Sequence, residues 1–308
     1  MFLSILFVMK RSAFTLVELL VVIVVIALLA GILLTAINRS RETARRAQCV
    51  SRQRDLAIAL IDYNNASNGL PGYLNQFGGT TPIHSWAVSI FPMIGENKRY
   101  EVLMNNGLSV LVSPPALLCP SDNPDEPGRL NYVVNCGPKE YINDNLNLQA
   151  NPAFVLFRDR RSLLPQGVVP SLVSINTKVK IEEIPDGASN TILLSENLEV
   201  GVWYANWSLS ACVLNQLPVG VDSQRLNTRS SAAVENLGFV WWDTALAPNS
   251  STAGPRPSSK HPGTVVAAYA DGSAKPINDD ISLGDWLQAV CPDDKKAKGL
   301  ITDGGLEL

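Results

Sequence analysis

The sequence predicts an α+β fold in which one long N-terminal helix packs on an antiparallel β-sheet. Three observations predict this fold. Residues 19–37 are apolar and uncharged, an amphipathic helical pattern continues to about Ala66, and beyond Pro71 short apolar runs alternate with Pro, Gly, Asn and Asp. A helix with one apolar face needs a surface to cover, and a sheet of short strands supplies it.

Residues 14–37 form a predicted transmembrane helix, in which Glu18 is the one charged residue. At about 1.5 Å per residue, the segment crosses the ~30 Å hydrocarbon core of a bilayer. A secretory signal peptide would place its small-residue cleavage site after a shorter apolar core, whereas Ala13 precedes this one. The segment is therefore expected to remain in the mature protein as a single-pass anchor.

Glu18 is expected to form an ion pair with a positively charged group. A carboxylate at membrane depth costs about 2.5–3.5 kcal/mol on insertion scales, so it is expected to pair with a cation. An ammonium group is the natural choice.

Residues 38–66 are predicted to continue the helix as an amphipathic segment. Its apolar face repeats at helical spacing, through Cys49, Leu56, Leu60 and Tyr63. Residues 39–55 also hold six Arg against Glu42 and Asp55. Because no aromatic residues interleave with these arginines, we expect a solvated or lipid-facing helix and no nucleic-acid site.

Residues 67–308 are predicted to form an enlarged, loop-rich β domain. From residue 56 onward the chain holds 17 Lys and Arg against 25 Asp and Glu, a net charge of −8. The predicted strands are residues 85–92, 117–120, 132–135, 191–196, 239–242 and 264–270. Asp271 and Gly272 stand between two apolar runs and are assigned to a hairpin turn. His261 precedes that hairpin and is assigned a structural role at a strand end.

The block S-A-F-T-L-V-E-L-L-V-V at residues 12–22 resembles the prepilin signature of type IV pilins and type II secretion pseudopilins. The resemblance implies that prepilin peptidase cuts between Ala13 and Phe14, so that residues 1–13 are a leader and Phe14 becomes an N-methylated terminus. Glu18 would then lie one helical turn from the new ammonium, on the same chain or on a neighbour. The family usually has Gly where this chain has Ala13. Met1 and Met9 both remain candidate starts.

Later motifs extend the resemblance along the chain. In order they are A-R-R-A-Q-C at 44–49, L-C-P-S-D at 118–122, N-Y-V-V-N-C-G at 131–137, I-P-D-G-A-S-N-T at 184–191, and His261 followed after nine residues by Asp271-Gly272. Together they are similar to a large prepilin-like family of unknown function that carries this His-x9-Asp-Gly element. The resemblance implies a pilin-like architecture, with prepilin peptidase, other pilin-like subunits and the lipid bilayer as partners.

The resemblance also implies a location in the bacterial inner membrane, with the N-terminus cytoplasmic and the C-terminal domain outside. Charge counting favours the opposite orientation, because Lys10 and Arg11 give +2 before the helix whereas residues 39–55 give +4. We follow the family, because its cleavage site must face the cytoplasm. The protein is expected either to stay in the membrane or to enter a surface filament.

Five cysteines in an exported chain indicate disulfides, and the odd count leaves at least one Cys free or intermolecular. Cys49 with Cys119 is the preferred pair, since both lie in motifs shared with the family, and it would join helix to sheet. Cys119 with Cys136 is the alternative. The sequence contains neither C-x-x-C nor a His–Cys cluster, so no metal site and no cofactor are predicted.

Two function classes remain. The chain has two His, His84 and His261, and no nucleophile-and-base constellation, phosphate loop or paired-carboxylate motif, so no enzyme is predicted. The favoured class is a pilin-like or pseudopilin-like structural subunit, processed by prepilin peptidase and assembled into a filament or secretion pseudopilus. The alternative is a membrane-anchored extracytoplasmic binding protein that recognises a surface polymer or a protein.

Overall fold

A helix of 52 residues, α1 (Leu16–Ser67), opens the described part of the chain. The computed structural model describes residues 16–72, 74–75, 84–106, 112–122, 128, 130–135, 159–160, 178–198, 238–239, 257–281 and 283–293. The chain divides into two compact units, Met1–Ala44 and Arg45–Leu308. The predicted leader, residues 1–13, lies outside the described residues.

In the first unit, the large apolar side chains of α1 are exposed around the whole helix. From Leu16 to Ile37 their exposed fractions range from 39% to 79%. Among the described helices, α1 alone is long and apolar enough to cross a membrane. The prediction of a membrane-length N-terminal helix is confirmed.

In the second unit, α1 buries the face that the sequence predicts. Cys49, Leu56, Leu60 and Tyr63 are all buried, while Arg54 is exposed. The helix then stops within two residues, because Asn68 takes the left-handed conformation at φ 56° and the Gly69 N–H donates to the Asn64 carbonyl at 2.9 Å. This hydrogen bond, reaching back five residues, is the Schellman arrangement, which ends helices without leaving the last carbonyls unpaired.

Eight strands are described in the second unit. In chain order they are β1 (Leu74–Asn75), β2 (His84–Ser85), β3 (Tyr132–Asn135), β4 (Asp159–Arg160), β5 (Ile192–Glu196), β6 (Gly238–Phe239), β7 (Thr264–Tyr269) and β8 (Ala274–Asn278). The main sheet has the order β6-β3-β5-β7-β8. Its β3–β5, β5–β7 and β7–β8 pairs are antiparallel, whereas β6 joins β3 in parallel. A small second sheet has the order β2-β1-β4.

Three short α-helices are described, α2 (Trp86–Ser89), α3 (Asn97–Asn106) and α4 (Leu283–Val290), together with three 3-10 helices, Phe91–Ile94, Pro115–Leu117 and Ile181–Glu183. Trp86 and Phe91 are among the largest fully buried side chains, and they belong to one core with the inner face of α1 and strands β3, β5 and β7. The α+β prediction, a long helix with a largely antiparallel sheet, is confirmed.

Four strand predictions agree with the structure and two are wrong. β3, β5 and β7 match, and β6 overlaps the predicted strand 239–242, of which residues 240–242 lie outside the described residues. Within residues 85–92, Ser85 ends β2, Trp86–Ser89 forms α2, and Phe91 begins a 3-10 helix, Phe91–Ile94. Leu117 ends another 3-10 helix, Pro115–Leu117, and residues 118–120 form a turn. Pro92 and Pro115 occupy the first turns of these helices, where a missing N–H costs no hydrogen bond.

Candidate functional site

Glu18 lies in the first turn of the described part of α1 and is exposed among exposed apolar side chains. A carboxylate at this end of a helix interacts favourably with the partial positive charge of the helix dipole. Ala13 and Phe14, the other two predicted processing residues, lie outside the described residues. The described geometry thus places one carboxylate at the start of a membrane-length helix.

A second site lies in the core of the Arg45–Leu308 unit, where four side chains from four separate segments converge. They are Cys49 of α1, Cys119 after the Pro115–Leu117 turn, Glu196 at the end of β5, and His261 just before β7. Each is at most 4% exposed. One ligand atom from each residue lies within 4.8 Å of the others. We call this group the Cys–His–Glu cluster.

The distances within the cluster are those of direct contacts. The Cys49 thiol donates to Glu196 Oε1 at 2.7 Å. His261 Nε2 lies 3.4 Å from that same oxygen and 3.4 Å from Cys119 Sγ. Glu196 Oε2 accepts the Val266 N–H at 2.9 Å. The carboxylate is thus fixed by the backbone of β7 at one oxygen, while its other oxygen faces a thiol and the imidazole.

Two of the sequence motifs meet to position Cys119. Its backbone N–H donates to Asn131 Oδ1 at 2.8 Å, and the Asn131 amide in turn donates to Asp122. The Asp122 N–H closes the turn on the Cys119 carbonyl at 3.1 Å. The L-C-P-S-D turn is therefore held by the first residue of N-Y-V-V-N-C-G, because an Asn side chain can accept and donate at once.

Polar side chains surround the cluster. The Tyr132 hydroxyl lies 3.3 Å from Cys49 Sγ and donates to the Leu118 carbonyl at 3.1 Å. Gln53, one turn after Cys49, donates to the Val266 carbonyl at 3.0 Å and lies 3.8 Å from Cys49 Sγ. These contacts tie the α1 side of the cluster to β3 and β7.

The two thiols differ in acidity. Burial raises the pKa of Cys49 well above its ordinary value, and its hydrogen bond with Cys119 and the charge of Glu196 raise it further. For Cys119, the hydrogen bond with Cys49 is the largest influence; together with the His261 contact it outweighs burial and lowers the pKa to about 7. Burial opposes ionisation of Glu196, but hydrogen bonds from His261, Cys49 and the Val266 N–H lower its pKa overall.

The cluster corrects the sequence expectation that the chain lacks a His–Cys cluster. Cys49 and Glu196 are 147 residues apart, and Cys119 and His261 are 142 residues apart, so no short spacing motif marks them. His261 does stand before β7, as predicted, but it belongs to the cluster. A sequence signal existed: Cys49, Cys119 and His261 all fall in the quoted motifs. Glu196 had no such signal.

The preferred disulfide pair is brought together, with Cys49 and Cys119 both in the cluster, but both are free thiols in the structure. Cys136, of the alternative pair, lies outside the described residues. The disulfide therefore stays a prediction.

Asp271 and Gly272 lie in the β7–β8 turn that the hairpin signal predicts. Gly272 has φ 85°, and Asp271 Oδ1 accepts the Ser273 N–H at 2.8 Å. A β-carbon on Gly272 would lie 3.3 Å from Ile61 Cδ1, so the turn passes close over α1. Asp and Gly here serve the turn and its packing on the helix.

All four side chains of the Cys–His–Glu cluster are buried, so an external substrate cannot easily reach them. The cluster is better suited to binding an ion or to a reaction between its own side chains. Thiolate, imidazole and carboxylate are the common ligands of a tetrahedral transition-metal site. Two neighbouring thiols can instead form a disulfide.

Two protein-family models match the chain, and together they cover the N-terminal segment around Glu18 and the Cys–His–Glu cluster. The model of a family described as "Protein of unknown function (DUF1559)" matches residues 38–284, which include the whole Cys–His–Glu cluster. The model of the prokaryotic N-terminal methylation motif matches residues 8–34, which include Ala13, Phe14 and Glu18. No curated protein and no solved structure matches the chain.

Proposed function

Because this chain belongs to the DUF1559 family, whose function is unknown, and carries a prokaryotic N-terminal methylation motif, we propose that it is a pilin-like structural subunit anchored in the membrane. Prepilin peptidase removes residues 1–13, Phe14 becomes the methylated terminus, and the apolar helix associates with the helices of other pilin-like subunits. The location is the bacterial inner membrane, with a filament or secretion pseudopilus as the assembled form.

One observation carries the assembly proposal: the apolar side chains of α1 from Leu16 to Ile37 are exposed on every side of the helix. A helix that is apolar all round needs an apolar environment on all sides. Lipid provides it in the membrane, and neighbouring apolar helices provide it after extraction into a bundle. A helix that served only as an anchor would need the first environment alone.

Glu18 supplies the specificity that the apolar contacts lack. Apolar helices can slide past one another, since dispersion contacts change little with register. A carboxylate in a low-dielectric bundle pairs strongly with an ammonium, because solvent screening is weak there. In a helix that continues to residue 14, the Phe14 ammonium created by processing would stand one helical turn from Glu18, so the Glu18 of a neighbour displaced along the bundle axis can pair with it and fix the register.

Mass measurement of the N-terminal peptide tests the processing step. The full chain is isolated from membranes of the producing bacterium, and the expected peptide begins at N-methylated Phe14. An intact leader in the membrane-bound protein contradicts the proposal.

Glu18→Gln tests the assembly step. The substitution keeps the shape of the side chain and removes its charge, so membrane insertion and leader removal should persist while co-purification of tagged with untagged chains in mild detergent falls at least tenfold. Glu42→Gln is the matched control, since it makes the same change in the same helix outside the apolar segment. Equal co-purification by the two variants would contradict a role for Glu18 in assembly.

The alternative, a membrane-anchored binding protein, predicts a different pattern. Recognition of a surface polymer or protein by residues 67–308 would be unchanged by Glu18→Gln, and the chain would not associate with other pilin-like subunits. Its acidic net charge beyond residue 55 favours a cationic ligand.

A further inference from the structure

The four ligand atoms of the Cys–His–Glu cluster lie within 4.8 Å of one another, close enough for one ion to contact all of them. We propose that Cys49, Cys119, Glu196 and His261 bind one Zn²⁺ ion. The proposal goes beyond the structural-subunit function and does not depend on it, because none of these residues lies in the N-terminal segment.

The distances support zinc. Zn²⁺ binds thiolate sulfur at about 2.3 Å and imidazole nitrogen or carboxylate oxygen at about 2.0–2.2 Å, so the edges of a regular tetrahedron measure about 3.3–3.8 Å. The two contacts of His261 Nε2, to Cys119 Sγ and to Glu196 Oε1, are both 3.4 Å. The Cys49–Glu196 contact of 2.7 Å is shorter than a tetrahedron edge, so these two atoms would move apart when the metal replaces the thiol proton between them.

Proton counting also favours an ion at the centre. His261 Nε2 has either one proton or one lone pair, so it can form one good hydrogen bond, yet Cys119 Sγ and Glu196 Oε1 lie at equal distance from it. Glu196 Oε1 faces both the Cys49 thiol and the imidazole. Four donor atoms that converge on one volume are satisfied together by a single cation, whereas a hydrogen-bonded arrangement must leave one contact poorly satisfied.

Surrounding groups hold the ligands in place. The Val266 N–H fixes the carboxylate through Oε2 and leaves Oε1 directed at the cluster. Asn131 fixes the peptide N–H of Cys119, and the Tyr132 hydroxyl lies beside Cys49 Sγ. Such outer contacts orient ligands and usually accompany a genuine metal site.

The site would be structural, not catalytic. Four protein ligands complete the tetrahedral shell of Zn²⁺, so no position remains for water or substrate. All four side chains are buried. Because the ligands come from α1, the L-C-P-S-D turn, β5 and the segment before β7, the ion would join the helix to the two central strands of the sheet. It would be bound by the folded chain far better than by the unfolded one.

The competing arrangement is a Cys49–Cys119 disulfide. That bond would use both thiols and leave His261 and Glu196 as a buried pair with no metal. The two sulfurs also form a hydrogen bond with each other, but each has a further contact, Cys49 with the Glu196 carboxylate at 2.7 Å and Cys119 with the His261 imidazole at 3.4 Å. These contacts favour the metal site, and a Cys49–Cys119 disulfide in the isolated protein would contradict it.

The experiment uses the full chain, purified in detergent under reducing conditions without chelator. Elemental analysis should find one Zn²⁺ per chain. After chelation, titration with Co²⁺ should give the intense visible bands of tetrahedral cobalt together with thiolate-to-cobalt charge-transfer absorption, saturating at one ion per chain. The thermal midpoint should fall when the metal is removed and recover when Zn²⁺ returns.

Matched variants locate the ligands. Cys119→Ser and His261→Gln should each lose tight Co²⁺ binding, with a drop in affinity of at least a hundredfold. Cys291→Ser is the control, because Cys291 is an equally buried cysteine outside the cluster, and it should keep one ion and an unchanged spectrum. If a cluster variant does not fold, the cobalt spectrum of the unvaried chain still decides the matter.

Three results would overturn the proposal. One is failure of the reduced, unvaried chain to take up Zn²⁺ or Co²⁺. Another is a cobalt spectrum that lacks thiolate charge transfer. The third is a Cys49–Cys119 disulfide found by peptide mapping of protein isolated from membranes without reductant.

Discussion

Asn135 illustrates how one buried amide holds three elements together. Its side-chain NH₂ group donates to the Ile192 carbonyl of β5 at 2.9 Å and to the Val290 carbonyl of α4 at 2.7 Å. Asn135 itself belongs to β3 and is 1% exposed. Both amide protons therefore satisfy backbone acceptors that water cannot reach.

Asn135→Asp is expected to lower the free energy of unfolding by about 3–5 kcal/mol, since it replaces two donors with an unpaired buried carboxylate that faces two carbonyl oxygens. Asn190→Asp makes the same change at an exposed amide that donates to the Asp186 carbonyl, and should cost about 0.5 kcal/mol or less. Urea unfolding of both variants measures the difference. Similar losses for the two would show that Asn135 does not have the role assigned to it.

At the residue scale, the sequence motifs identified three of the four side chains of the Cys–His–Glu cluster but did not predict that they lie together. Cys49, Cys119 and His261 all stood out in quoted motifs, yet their meeting point depends on how β5 and β7 pair and on where α1 lies against them. Glu196 ends an apolar strand, and a carboxylate there is typical of a solvated strand end. Its burial follows from long-range contacts with His261 and Val266 that no local pattern encodes.

At the scale of the elements, the β7–β8 turn packs closely on α1, and this contact restricts which side chain the turn can carry. Gly272 has φ 85°, and an added β-carbon would lie 3.3 Å from Ile61 Cδ1 and 3.5 Å from Ile58 Cγ1. Glycine is required here on two grounds. The left-handed backbone disfavours other residues, and the space between turn and helix is nearly filled.

Gly272→Ala is expected to destabilise the protein more than Gly95→Ala does. Both positions have positive φ, but nothing lies within 4 Å of a β-carbon added at Gly95, so that variant measures the backbone cost alone, about 1–2 kcal/mol. Thermal or urea unfolding should show the larger loss for Gly272→Ala.

A second substitution tests the cause of that difference. Adding Ile61→Val removes the Cδ1 atom that crowds the turn, so the double variant should lose less stability than the sum of its two single variants. Strict additivity would rule out the crowding explanation.

The elements that the sequence predicted well are those with a strong local signal. Strands β3, β5 and β7 are short apolar runs with turn residues on either side, and α1 has a long helical repeat. The segment 85–92 was assigned wrongly because it is mostly apolar, and a short buried run has the same composition in a strand and in a helix. Trp86, Ile90 and Phe91 are all fully buried, so no exposed face revealed the helical period.

At the scale of the whole molecule, the charge pattern and the processing site give opposite predictions of membrane orientation. The six Arg of residues 39–55 favour a cytoplasmic C-terminal side, whereas processing before Phe14 requires a cytoplasmic N-terminus. We expect processing to decide, since prepilin peptidase acts at the cytoplasmic face.

A C-terminal alkaline phosphatase fusion, active only outside the cytoplasm, should therefore be active, and a C-terminal fusion to a fluorescent protein that matures only inside should be dark. Replacing Arg45 and Arg46 by Gln should leave both signals unchanged. A fluorescent fusion, or an orientation that changes with these arginines, would favour the charge rule.

The order of the strands in the main sheet determines when each strand can pair during synthesis. β7 pairs with β5 on one side and β8 on the other, so a strand made well after β3 and β5 occupies a place inside the sheet. Until residues 261–278 arrive, β5 presents an unpaired edge, and Glu196 lacks both its partner His261 and its backbone donor Val266. Pairings this distant in sequence form slowly, and an exposed strand edge invites aggregation in the interval. The newly made chain consequently passes through a vulnerable period that a chaperone would shorten, and a chain truncated before residue 264 would never leave it.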